Sequence, residues 1–154
     1  MKATYKMGVI GILAFFLFLT DRVFKVLAQK GIVRGNILGW GDWFQFRLTY
    51  NPGVAFGIHL NYYFIIVFYL IVIFVLIWYI INLYKTKSGR YLAVFASTLV
   101  LLGAISNLFD RIQIGQVIDY LYLKNFSIFN LADAMITVGA VILIIISGRK
   151  SSTT

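Results

Sequence analysis

The chain has 154 residues, of which 61% are hydrophobic and only 12% charged; a soluble domain of this length is about half apolar and about a quarter charged. Fourteen Lys and Arg against five acids give a net charge of +9. These cations lie between and after apolar runs and form no basic face, which favours anionic headgroups over nucleic acid. Cysteine is absent and His59 is the single histidine, which excludes disulfides, thiolate nucleophiles, Cys-ligated zinc and any His-rich metal site. No metal and no cofactor are expected, and lipid is the solvent that suits this composition.

The first predicted element is a helix over about 7–27. Met7 to Thr20 is uncharged for 14 residues, after which Asp21 and Arg22 interrupt. Lys2 and Lys6 before an apolar run resemble a signal peptide, yet no small-x-small site follows Thr20, so an uncleaved helix is expected. An extracytoplasmic segment over about 30–61 comes next. Within it, alternation from Trp43 to Tyr50 ahead of the turn-forming Asn51-Pro52-Gly53 predicts short β-strands on the membrane surface. Trp40 and Trp43 read as interfacial anchors, and His59 as an interfacial side chain. A span is predicted over 62–83, 22 residues without a charge, long enough for a hydrocarbon core of about 30 Å. A third helix is predicted over 91–111. The fourth, over about 128–147, has only 14 uncharged residues from Ala134 to Ser147, so it carries Asp133 in its outer part.

The predicted fold is therefore an all-α membrane protein: four transmembrane helices with a small β-rich extracytoplasmic layer, in one domain over 1–154. Cations concentrated in the tails and the 84–90 loop place the termini in the cytoplasm. All five acids, Asp21, Asp42, Asp110, Asp119 and Asp133, then fall towards the outer side.

Intramembrane acids usually face a protein interior or water. Asp119 and Asp133 stand 14 positions apart, and a tight return would bring both to one depth. Two carboxyls close together in low dielectric do not both ionise, and such an asymmetric pair is what an aspartic peptidase uses. A helix-end cap, or an ion pair with Arg111 or Lys124, is the structural alternative. Asn51 and Asn130 suit either hydrogen bonding to a peptide or the aspartates, or turn and cap roles. Gly53 allows φ > 0 or a close backbone approach, as would an ordinary Pro-Gly turn. Gly103 suits close helix packing. Lys25 lies one turn from Asp21 as an ion-pair partner, and Asp110 and Arg111 are expected to form ion pairs holding the outer loops. Ser127 and Lys124 lie close in sequence but in no nucleophile motif.

Five blocks carry a resemblance: Asp21-Arg22-Val-Phe-Lys25, Asn51-Pro-Gly53-Val-Ala55-Phe56-Gly57, Gly103-Ala-Ile-Ser-Asn107-Leu-Phe-Asp110-Arg111, Gly115-Gln-Val117-Ile-Asp119-Tyr120, and Phe129-Asn130-Leu-Ala132-Asp133. Together they resemble the bacterial lipoprotein signal peptidases, the type II signal peptidases, over nearly the whole chain. The resemblance implies catalytic aspartates at Asp119 and Asp133. It implies that Asp21, Lys25, Asn51, Gly53, Asn107, Asp110, Arg111, Asn130 and Ala132 shape or support the site. It further implies an intramembrane aspartic endopeptidase acting on diacylglyceryl-modified prolipoproteins, cut before the lipidated cysteine. Such an enzyme would be a multi-pass protein of the bacterial cytoplasmic membrane, surrounded by lipids and expected to be a monomer, with its site towards the extracytoplasmic side. Tyr120 stands where Phe is frequent, and the stretch between the two aspartates is short for the family. The alternative is a small transporter or proton-relay protein with Asp ion sites, which would spread its acids through the membrane's depth.

Overall fold

The computed structural model describes residues 2–36, 41–53, 61–85 and 90–151. Four helices, α1 (Lys2–Gln29), α2 (Tyr62–Lys85), α3 (Tyr91–Ile114) and α4 (Leu131–Ser151), carry a small sheet at one end. The sheet is antiparallel, with β1 (Gly35–Asn36), β2 (Phe44–Asn51), β3 (Val117–Leu123) and β4 (Ser127–Phe129) in that spatial order. The 24-residue α2 and α3, and Leu131–Gly148 of α4, are long and apolar enough to cross a membrane. The 28-residue α1 carries Asp21, Arg22 and Lys25 in its last third.

Helix ends follow local chemistry. α1 stops at Gly31, whose φ of +68° suits glycine. The Gly31 N–H donates to the Ala28 carbonyl and the Ile32 N–H to the Leu27 carbonyl, both at 3.0 Å, the paired bonds of a Schellman ending. Asn61 caps α2, its Oδ1 accepting from the Tyr63 and Phe64 N–H groups at 3.0 and 3.4 Å. α3 ends at Gly115, with φ 75°, whose N–H donates to the Arg111 carbonyl.

α3 is the central helix, buried along most of its length, while α2 is almost wholly exposed and apolar all round. One core cluster joins Ala14, Leu99 and Met135 from α1, α3 and α4. A second, at the end away from the sheet, joins Leu83, Ala93 and Val94. α3 and α4 meet closely because two glycines face the partner helix. A Cβ on Gly103 would stand 2.6 Å from the Ala132 carbonyl oxygen, and one on Gly139 2.6 Å from that of Ala96. Large apolar side chains, such as Ile12, Phe16, Phe74 and Ile144, point outwards, as lipid-facing residues do. Rings from three elements stack where the sheet meets the bundle: Phe24 on Phe46 at 5.5 Å and on Tyr120 at 5.7 Å.

Several expectations need correction. The fourth helix begins at Leu131, not near 128, because Ser127–Phe129 pairs with β3 and Asn130 starts the helix. The first three helices run to 2–29, 62–85 and 91–114, beyond 7–27, 62–83 and 91–111, since charged residues at their ends leave backbone hydrogen bonding intact. The expected strand from Trp43 forms as β2, with a register shift between Phe46 and Thr49. However, the 30–61 segment is only half of the sheet; the stretch between the aspartates supplies β3 and β4, turning at Asn125 with φ 63°. Trp40, His59 and the 54–57 part of its block lie outside the described residues.

Candidate active site

The site is built around the first turn of α4. A helix start leaves four N–H groups without helical partners, and here each has one. The Leu131 N–H donates to the Tyr120 hydroxyl at 3.3 Å, Ala132 to Asp21 Oδ1 at 3.1 Å and Asp133 to Asn130 Oδ1 at 2.8 Å, while the Ala134 N–H makes the first helical bond, to the Asn130 carbonyl at 3.3 Å. The Asn130 N–H reciprocates to Asp133 Oδ2 at 3.2 Å, completing a capping box. Asp133 is thus oriented by the same contacts that start its helix.

Behind this turn lies a buried ionic cluster. Lys25 Nζ sits 3.1 Å from Asp21 Oδ2 and 2.7 Å from Asp110 Oδ2, with all three side chains fully buried. Arg22 Nη1 reaches Asp110 Oδ1 at 2.5 Å, so two cations face two carboxylates. Ser106 Oγ donates to Asp21 Oδ2 at 2.6 Å, and the Tyr120 hydroxyl donates to Asp21 Oδ1 at 3.1 Å. The expected Lys25–Asp21 pair is therefore present. Asp110 departs from expectation: its ion pairs run inwards to α1 instead of to the outer loops. Arg111 holds the outer segment, but by a hydrogen bond from Nη2 to the Gly53 carbonyl at 2.5 Å; among the described residues it has no ion pair, because the acid beside it is already taken by α1.

Asn107 and Asn130 connect this cluster to the two aspartates. Lys25 Nζ donates to Asn107 Oδ1 at 2.9 Å, and Asn107 Nδ2 donates to Asp133 Oδ1 at 2.7 Å. Asn130 Nδ2 donates to Asp119 Oδ1 at 2.7 Å, so one asparagine touches both acids. Asn51 Nδ2 donates to Asp119 Oδ2 at 3.2 Å, while its Oδ1 accepts from the Gly53 N–H at 3.0 Å. Asn51 and Asn130 therefore fill both roles left open by the sequence. Gly53 is buried; of the readings offered for it, a turn closed on Asn51 Oδ1 and a close backbone approach, to Arg111, are present. Ala132 is fully buried, with its carbonyl against Gly103.

A cavity of about 550 Å³ opens in front of Asp133. Asn51, Tyr69, Asn107 and Arg111 form its polar wall; Phe126, Ile128, Phe129, Ile136 and Val138 form its apolar wall. Asp119 is only 2% exposed and sits behind that wall, with both oxygens engaged. Burial first, and the neighbouring Asp133 charge second, push the Asp119 carboxyl up to about 7, against the pull of the Asn51 and Asn130 amides. Arg111 Nη1 is buried with no hydrogen-bond partner among the described residues. No cluster of His, Cys, Asp and Glu suited to a metal ion occurs among them either. Sequence reasoning gave no role to Arg22, Ser106 or the Tyr120 hydroxyl, although all three sit inside the quoted blocks. It missed Tyr69 completely, one aromatic residue among many in α2.

Fold and site define a multi-pass membrane protein with two acids, bridged by one asparagine, where a helical bundle meets a small sheet. The sequence pattern of signal peptidase (SPase) II matches residues 13–149. The lipoprotein signal peptidase of Halothermothrix orenii is 35% identical over 137 residues, 87% of this chain and 91% of the relative. That of Streptococcus pneumoniae is 33% identical over 145 residues, 91% of this chain and 92% of the relative. A bacterial membrane enzyme solved in meso at 2.3 Å resolution has the same fold, with a TM-score of 0.81, 24% identity, and coverage of 96% of this chain and 92% of that one. The chain belongs to the signal peptidase II family, and is a membrane peptidase that processes prolipoprotein signal peptides.

Proposed function

We propose that the chain is an aspartic endopeptidase in which Asp119 and Asp133 form the catalytic pair, cutting diacylglyceryl-modified prolipoproteins before the lipidated cysteine. The carrying observation is that Asn130 binds both carboxyls at the head of a cavity. One acid takes a proton from water as it attacks the scissile carbonyl; the other, neutral, hydrogen-bonds that carbonyl and protonates the leaving nitrogen. An incoming peptide displaces the Asn51 amide from Asp119 and satisfies Arg111 Nη1, which has no partner among the described residues. Asp21, Lys25, Asp110, Asn107, Asn130 and Ala132 support the pair by fixing the start of α4, and Gly53 ties the Asn51 turn to Arg111. The apolar wall suits a lipidated substrate.

On this reading α1 is a fourth span, because large apolar side chains point outwards from it and Asp21, Arg22 and Lys25 are neutralised within the bundle. The chain works as a single monomeric domain among membrane lipids, with the site towards the extracytoplasmic side and both termini cytoplasmic. The test is mass analysis of a diacylglyceryl-modified lipobox peptide incubated with the purified protein. Asp119→Asn and Asp133→Asn should each abolish cleavage in a folded protein. Asp42→Asn should stay active, since exposed Asp42 hydrogen-bonds, among the described residues, only Gln45. Turnover by either mutant of the pair, or loss of activity in EDTA, would show that the chemistry lies elsewhere.

A further inference from the structure

We infer that the Tyr69 hydroxyl is a further catalytic donor, hydrogen-bonding the scissile carbonyl oxygen as negative charge develops on it. This rests on the aspartic reading above.

Asn107 has a limited hydrogen-bond capacity, since its carboxamide has two acceptor sites and two N–H groups. Its oxygen accepts from Lys25 Nζ and Asn130 Nδ2 at 2.9 and 3.2 Å. One N–H goes to Asp133 Oδ1. The Tyr69 hydroxyl lies beside this amide, and its own hydrogen is free to donate. Tyr69 lines the cavity, and among the described residues its O–H has no acceptor.

Geometry then selects the target. Asp133, bound through Oδ1 by the Asn107 amide, and Tyr69 line the same cavity. A carbonyl carbon gaining a second oxygen fits between them, one oxygen towards the carboxyl and the other towards the phenol. The ring plays a separate part. The Arg111 guanidinium lies over it at 5.2 Å, and the Tyr62 hydroxyl donates to the Arg111 carbonyl at 3.1 Å. The two tyrosines lie two helical turns apart on α2, so that helix positions Arg111 from both ends.

Ring and hydroxyl separate by mutation. Tyr69→Phe keeps the shelf under Arg111 and removes only the O–H; Tyr69→Leu removes both. The measurement is kcat and KM on the diacylglyceryl lipobox peptide, with thermal melts of each variant in detergent. Tyr69→Phe should lower kcat about 100-fold, as loss of one preorganised donor does, with KM and melting temperature unchanged. Tyr69→Leu should lose as much in kcat and also raise KM. Full turnover by Tyr69→Phe, or a change in KM alone, overturns the inference. Should Tyr69→Phe melt early, 3,5-difluorotyrosine at position 69 replaces it, since it keeps the shape and acidifies the hydroxyl. Activity should then fall on the alkaline side as that hydroxyl ionises and stops donating; an unchanged alkaline limb overturns the inference. Asp119→Asn and Asp133→Asn are assayed alongside. If they are inactive while Tyr69→Phe is normal, only this inference fails; if they are active, the aspartic reading itself fails.

Discussion

Lys25→Met is the most informative single change to the scaffold. Lys25 is fully buried between Asp21 at 3.1 Å and Asp110 at 2.7 Å, and Asp110 also holds Arg22. The cluster is neutral as it stands. Met fills much of the lysine stem's volume, so packing loss is small, but one negative charge is left buried without compensation. Removing one partner of a buried pair costs about 3–5 kcal/mol, and the same change orphans a lone pair on Asn107. Asp21→Asn added to Lys25→Met restores neutrality while keeping an oxygen for the Ala132 N–H. The double variant should therefore be more stable than Lys25→Met by about 1–3 kcal/mol. Equilibrium unfolding in mixed dodecylmaltoside and SDS micelles, followed by circular dichroism, measures all three. Simple additivity of the two substitutions, or a cost of Lys25→Met below about 1 kcal/mol, would refute the claim that charge balance holds this end of the bundle.

Three other outcomes follow from the same geometry. Asp119 is raised from 3.8 to about 7, so between those values the folded chain binds more protons than the unfolded one. Stability then falls as pH rises from about 4 to about 7 and levels off above. Asp119→Asn should lack that decline and gain on the wild type at pH 8 relative to pH 4, whereas a pH-independent difference in melting temperature would contradict the assignment. Gly103→Ala places a methyl 2.6 Å from a backbone oxygen, and should cost roughly 1–3 kcal/mol in the same micelle assay; a neutral result would mean that α3 and α4 separate freely. A cysteine introduced at Asn125 should be labelled by an impermeant thiol reagent on intact cells and one at Lys85 should not, the reverse pattern overturning the proposed orientation.

Helices α2 and α3 were legible because both spans are apolar without interruption, lipid-facing in Tyr62 to Leu83 and packed among the other helices in Tyr91 to Phe109. Asp119 and Asp133 stood out because an acid beside an apolar run is costly unless it has partners. Charge marks such partners as Lys25 and Asp21 too, although it does not reveal direction: Asp110 turned inwards to α1, not outwards to the loops. The start of α4 was misread because Ser127-Ile-Phe129 is apolar enough to extend a helix; only its pairing with β3, some residues back along the chain, makes it a strand. Tyr69 was invisible for a related reason. Its neighbours Asn107 and Arg111 are about 40 positions away, and a tyrosine among the aromatics of α2 carries no local mark of what it faces.

The order of the strands bears on how the protein is made. β2 leaves the ribosome well before β3, its partner, with α2 and α3 synthesised between them. Until α3 is complete, the Asn51 turn has no Arg111 to hold it, and until β3 emerges it has no Asp119 to bind. Asp133 arrives last, and its own helix cannot be capped before Asp21 and Tyr120 are in reach. A nascent chain therefore carries no assembled pair of acids through most of its synthesis. On the proposed reading, proteolytic competence is acquired in one step, when α4 docks.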